Sequence, residues 1–232
     1  MRPASDDSYV VETVLENRTA TELTYIWSDI SANGYMLQGS WLAKVEPGKR
    51  ITKNFPVDLT ELNYSGITSI DELAFGLRVW ESSNADNVRF EGVRAAYAEG
   101  KNAGNVVYPP RVATPQDQII LVNNPYAEFI IEDSYSDEFY ALALNMYVEN
   151  KTDRLLQFAM RNVRVNGVEI PFSWTRRVGP GKRANAETGF DEALLAATGV
   201  DDVTALRFDL QVFVPGAEPS QYLVNQDTTY RP

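Results

Sequence analysis

The chain contains no cysteine and no histidine. Disulfides, thiolate chemistry, zinc sites of the usual Cys/His kind and histidine-based triads are therefore excluded. It also lacks any apolar run of about 18 residues, the length a helix needs to cross the hydrocarbon core, so membrane insertion is not expected. The opening stretch, Met1-Arg2-Pro3-Ala4-Ser5, has no apolar h-region, and no signal peptide is expected. Basic residues are in deficit: 21 Lys and Arg stand against 32 Asp and Glu, a net charge of −11. Binding to a phosphate backbone needs a basic surface, so nucleic acid is not an expected partner.

What is present is a repeat. Asn33-Gly34, Trp41 and Pro47-Gly48-Lys49-Arg50 recur as Asn166-Gly167, Trp174 and Pro180-Gly181-Lys182-Arg183, displaced by 133 positions (166 − 33). With that offset and no gap, Asn17 falls on Asn150, Asp58 on Asp191, Gly66 on Gly199, Leu73 on Leu206, Phe75 on Phe208 and Tyr97 on Tyr230. A gapless match from Tyr9 to Tyr97 points to a duplicated domain. The boundaries read as 1–100 for the first repeat, 101–117 for a linker rich in Gly, Asn and Pro, and 118–232 for the second.

Apolar residues alternate along Tyr9, Val11, Thr13, Leu15 and again along Leu142, Leu144, Met146, Val148, the period of a half-buried strand. Asn-Gly suits a two-residue type I′ hairpin turn, and Pro-Gly the centre of a type II turn. Trp41 and Trp174, on the return strands, are expected to be largely buried. The stretches Asp58–Gly66 and Asp191–Gly199 read as short helices closed by glycine. Last strands are expected near Val88–Phe90 and Tyr222–Val224. Residues 1–8 read as frayed. Ile119–Val122 and Tyr126–Glu132 read as two strands with no counterpart ahead of Tyr9. The first repeat is thus expected to lack its first strands and to leave an open edge. Val106–Tyr108 could fold back over that edge, or the strand could come from outside, either from residues upstream of Met1, the favoured expectation, or from a second chain that adds to it and makes an oligomer. The fold class is all-β: two tandem immunoglobulin-like β-sandwich domains, each with one short helix.

Asn150-Lys151-Thr152, Val165-Asn166-Gly167, Trp174, Gly181-Lys182-Arg183-Ala184-Asn185, Phe190, Gly199-Val200 and Phe208–Leu210 together resemble an uncharacterised β-sandwich repeat of Gram-positive, often gut-dwelling, bacteria. The resemblance covers nearly all of the second repeat and most of the first. It implies the sandwich fold and a place outside the membrane, extracellular or at the cell surface. It implies no catalytic residue.

Six residues are candidates for binding. Arg161, Arg164, Arg176 and Arg177 fall on two strands where the first repeat has Ser28, Ser31, Ala43 and Lys44. Arg161 and Arg176 are expected on one face of adjacent strands. They read either as cross-strand partners of the surplus acids or as a site for an anionic partner, a protein or an envelope component. Trp80 and Phe213 are out of phase with the inward residues of their strands. They read either as locally buried or as exposed aromatics suited to an interface or a sugar. The acidic group Glu132, Asp133, Asp137 and Glu138 reads as one loop that could hold calcium, although the D-x-D-x-D-G spacing is absent. The Asn-x-Thr strings at Asn17 and Asn150 match the glycosylation sequon but suit turns better. The Pro-Gly-Lys-Arg turn lacks the spacing of a phosphate loop, and no cofactor is expected. A glycosidase needs only two carboxylates across a cleft, yet no spacing singles out a pair. The chain therefore reads as a binding or spacer module without enzymatic activity, with a carbohydrate-binding module as the alternative.

Overall fold

The computed structural model describes residues 2–5, 8–108, 111, 113, 117 and 119–232. The chain is mostly β and divides into two compact units, Met1–Pro109 and Pro110–Pro232. In the first unit the strands are β1 (Arg2–Ser5), β2 (Ser8–Glu16), β3 (Leu23–Ala32), β4 (Tyr35–Met36), β5 (Trp41–Val45), β6 (Arg50–Asp58), β7 (Glu72–Glu81) and β8 (Asn84–Tyr97). One sheet runs β1-β2-β6; the other runs β8-β7-β3, with β4 and β5 both on β3. The core lies between these two sheets, where Val11, Phe55 and Val57 of one meet Trp27, Ile30 and Leu73 of the other. Trp27 is its centre: its ring stacks on Phe75 at 4.0 Å and meets Trp41 at 5.2 Å and Phe55 at 5.9 Å.

The second unit holds β9 (Ile119–Asn123), β10 (Ala127–Tyr135), β11 (Leu142–Asn150), β12 (Leu156–Val165), β13 (Val168–Glu169), β14 (Trp174–Val178), β15 (Arg183–Phe190), β16 (Leu206–Phe213) and β17 (Val224–Tyr230). Its sheets run β9-β10-β11-β15 and β17-β16-β12, with β13 and β14 on β12. Phe129 of β10 crosses the gap to Phe158 of β12 at 6.3 Å and Trp174 of β14 at 5.8 Å. The helices α1 (Leu59–Tyr64) and α2 (Glu192–Ala197) are capped by the carboxylates of Asp58 and Asp191. Asn33-Gly34 and Asn166-Gly167 have positive φ at all four residues, as a type I′ turn requires.

Pairings in the two units share the offset of 133. Leu23 pairs Val45 as Leu156 pairs Val178, and Tyr25 pairs Val79 as Phe158 pairs Val212. Both carry a bulge, at Asp29 (φ 49°) and Asn162 (φ 49°). Both bury an Asn-x-Thr clasp. The Asn150 amide donates to the carbonyls of Arg154 (2.6 Å), Val178 (2.8 Å) and Gly179 (3.0 Å), and its oxygen accepts from the N–H (2.9 Å) and hydroxyl (2.8 Å) of Thr152. Asn17 bonds Thr21, Val45 and Thr19 in the same way.

Several expectations are corrected. The residues ahead of β2 are not simply frayed: β1 pairs with β2, but only opposite Ser8, Tyr9 and Val10. In the second unit β10 runs along β11 from Ala143 to Asn150. The last strand of the first unit is far longer than Val88–Phe90, and that of the second begins only at Val224. A register shift after Val79 means that Leu73 faces Ala96 while Leu206 faces Tyr230, so Tyr97 is one place off its expected match. Trp41 and Trp174 are half-buried, because β5 and β14 are short strands at a sheet margin.

Val106–Tyr108 does not pair with the edge. Tyr108 lies over Gly34, where a Cβ would come within 2.9 Å of its ring, and its hydroxyl donates to the buried carboxylate of Glu72. Burial raises the Tyr108 phenol above its ordinary value of 10.0, and the hydrogen bond and charge of Glu72 add to the shift. The folded state thus holds this proton more tightly than the unfolded chain. That contribution to stability is complete below pH about 10 and disappears as pH rises further. In a spectrophotometric titration Tyr108 should ionise last, after Tyr25 and Tyr135, which are also raised, and Tyr108→Phe should abolish that last phase; an unchanged profile would refute the burial.

Candidate functional site

The bulge at Asn162 decides where the arginines point. Side chains alternate along a strand, and an inserted residue reverses the phase. Phe158 and Met160 face the core before the bulge; Val163 and Val165 do so after it. Arg161 and Arg164, three apart, therefore share the outer face. Arg161 stands opposite Asp209, and Arg164 stands between Arg207 and Glu169. Here two of the neighbouring carboxylates, Asp227 and Asp209, are engaged by other groups. Arg207 Nε donates to both oxygens of Asp227, at 2.7 and 3.0 Å, and Asn162 Nδ2 donates to Asp209 at 2.6 Å. The Arg207 hydrogen bond holds the Asp227 carboxyl below its ordinary range; partial desolvation opposes this, and the charges of Arg207 and Arg164 reinforce it. Asn162, Arg164, Arg207, Phe208, Asp209 and Asp227 line one small surface depression. Among the described residues neither Arg161 nor Arg164 makes a salt bridge.

Arg176 and Arg177 do not complete this patch. Arg176 pairs with Phe158, so it sits on the core-facing side and is half-buried; Arg177 pairs with Gln157 on the outer side, at the other end of the strand. The expectation that Arg161 and Arg176 share a face is therefore wrong. Phe213, only 9% exposed, stacks on Tyr222 at 4.4 Å. Trp80 is half-buried, and the Arg78 guanidinium lies 5.4 Å from its ring centroid.

The acidic group does not form one loop. Glu132 and Asp133 belong to β10, while Asp137 accepts from the N–H groups of Phe139 and Tyr140, both at 2.8 Å. Among the described residues no cluster of three acidic side chains could hold a metal ion. Glu132 instead joins an arrangement that the sequence did not reveal. Arg111 donates to Asp117 at 2.8 Å, makes a second contact to Asp117 and one to Glu132, and lies 4.6 Å from the ring centroid of Tyr147. These three charged side chains are 11%, 9% and 17% exposed. Both carboxylates raise the Arg111 pKa, Asp117 most of all, against the opposing effect of burial. No local spacing announces a contact between residues 111, 117, 132 and 147.

No helix of the described chain is long and apolar enough to cross a membrane. No family model and no curated protein matches the sequence. Among solved structures, the crystal structure of red sea bream transglutaminase aligns with 97% of this chain and 29% of its own length, at a TM-score of 0.26 and 10% identity. The chain thus spans under a third of that protein. The expectation of a chain without enzymatic activity is not kept: a structure that it aligns with is that of an enzyme. At that TM-score the likeness itself assigns the chain neither fold nor activity.

Proposed function

We propose that the chain is a tandem immunoglobulin-like binding module that works outside the cytoplasm and engages an acidic stretch of a partner protein through Arg161 and Arg164. The tandem reading is supported by the shared pairing offset and the repeated bulge and Asn clasp. The location rests on the resemblance to the Gram-positive repeats. The observation that carries the function is the pair of arginines that make no salt bridge among the described residues, on an outer sheet face where the first unit has Ser28 and Ser31. An arginine fork is matched to a carboxylate, and two forks on one flat face suit an extended acidic segment.

The probe is a decaglutamate peptide. The net charge of −11 repels it, so the informative quantity is the difference between the native chain and the Arg161→Ala/Arg164→Ala double variant. Each exposed contact contributes roughly 0.2–1 kcal/mol, and the double variant should bind several-fold more weakly. The difference should shrink with added salt, since the screening length falls to about 8 Å at physiological ionic strength. Equal affinities at low salt would sink the proposal.

A further inference from the structure

The two units differ most where a strand is missing. In the second unit β9 and β10 lie over β17. Gln226 of β17 donates to the Leu121 carbonyl of β9 at 3.2 Å, and the Tyr230 hydroxyl bonds Ser134 of β10 at 2.8 Å. Beneath this cover Phe208, Leu210, Thr228 and Tyr230 are buried. In the first unit the corresponding residues are Phe75 and Leu77 on β7, with Arg94 and Ala96 opposite Phe75 and Leu73 on β8. Phe75 and Leu77 are only half-buried, and Arg94 and Ala96 are exposed. The facing edge is equally bare. β1 pairs only with Ser8 to Val10, so on the edge away from β6 no strand lies beside Val11–Glu16 of β2 among the described residues, and Val14 is 46% exposed. An unpaired edge beside a half-covered apolar face is the arrangement that accepts an added strand.

We infer that the first unit is a strand acceptor. It binds an extended segment of another protein along Val11–Glu16, in the place that β10 takes beside β11. The occupant's chemistry follows from the two sides of the site. β10 presents Ala127, Phe129 and Ile131, at every second residue and all fully buried, to the core of the second unit. The incoming strand needs the same alternation, with apolar residues over Phe75 and Leu77. It also needs a carboxylate. The Arg94 guanidinium lies 4.0 Å from the Phe90 ring centroid and donates only to the carbonyl of Val93, at 3.1 Å. It has no acidic partner among the described residues. This site is separate from the arginine face of the second unit, so either can fail without the other.

The test uses the full chain and a synthetic peptide with the sequence of Ala127–Tyr135, which carries both the alternation and acidic residues. The readout is backbone amide exchange. The peptide should slow exchange in Val11–Glu16 and in β8. The same peptide N-methylated at alternate residues should not, because it cannot form a ladder. Arg94→Ala should weaken the protection of Val11–Glu16 several-fold, while Arg94→Lys, which keeps the cation, should retain part of it. Three results would overturn the inference: no protection of Val11–Glu16 at saturating peptide, protection confined to β11, or protection that grows with protein concentration in the absence of peptide. The last would make the occupant a second copy.

Discussion

Replacing Arg111 by alanine should lower the stability of the second unit by about 3–5 kcal/mol, the cost of leaving a buried charge without its partner. Two carboxylates bond this one guanidinium, and both are mostly shielded from water. Without it, Asp117 and Glu132 repel each other, and the Tyr147 ring loses its cation. Denaturant unfolding should show an earlier transition for the second unit. Lowering the pH should restore part of the loss, since a carboxylate stripped of its cation and kept from water binds a proton more readily. An unchanged midpoint at neutral pH would mean that water reaches both acids once the arginine is gone.

Asn150→Ala should be nearly as damaging, on the order of 3 kcal/mol, although it removes no charge and little apolar area. The carboxamide is fully buried and serves five backbone and side-chain groups. Deletion removes a donor from the carbonyls of Arg154, Val178 and Gly179; Arg154 keeps the Thr152 hydroxyl and Gly179 the Lys182 N–H, both at 3.1 Å, and a buried group left unsatisfied costs roughly 1–3 kcal/mol. Asn150→Asp separates donor from acceptor. It keeps the contact to Thr152 but turns an anion toward carbonyl oxygens, so it should be no more stable than the alanine variant at neutral pH. A thermal midpoint for either variant within a degree or two of the native chain would show that water enters the clasp.

The same clasp shows what the sequence could tell. Asn-x-Thr at two places 133 residues apart marked a turn, and Asn-Gly and Pro-Gly marked the others, because such turns depend on local backbone geometry. Alternation marked most strands for the same reason. Facing was less legible. The face of Arg176 depends on how β14 registers against β12, and a slip of one residue reverses every side chain. The sequence carries no signal for that register, and Arg161 and Arg176, expected on one face, lie on opposite ones. Register shifts on both sides of Trp80 likewise take Tyr97 off its expected match. The arginine pair at Arg161 and Arg164 was legible as composition, but its common orientation comes from the bulge at Asn162. Arg111 was invisible as a structural residue because its partners are distant in the chain.

The hairpin tips carry a consequence for chemical ageing. Asn-Gly is the dipeptide most prone to deamidation, because the glycine nitrogen can reach the asparagine side chain unhindered and close a succinimide ring. In both tips that side chain is tied down. The Asn33 amide donates to the Ser69 carbonyl at 2.6 Å, and its oxygen accepts from Asp71 and Glu72 at 2.8 and 3.0 Å. Asn166 is bound in the same manner to Asp202, Thr204 and Ala205. Ring closure requires these bonds to break, so the folded turns age slowly and the unfolded chain ages fast. An isoaspartate at either tip is thus a record of time spent unfolded, written separately for each unit.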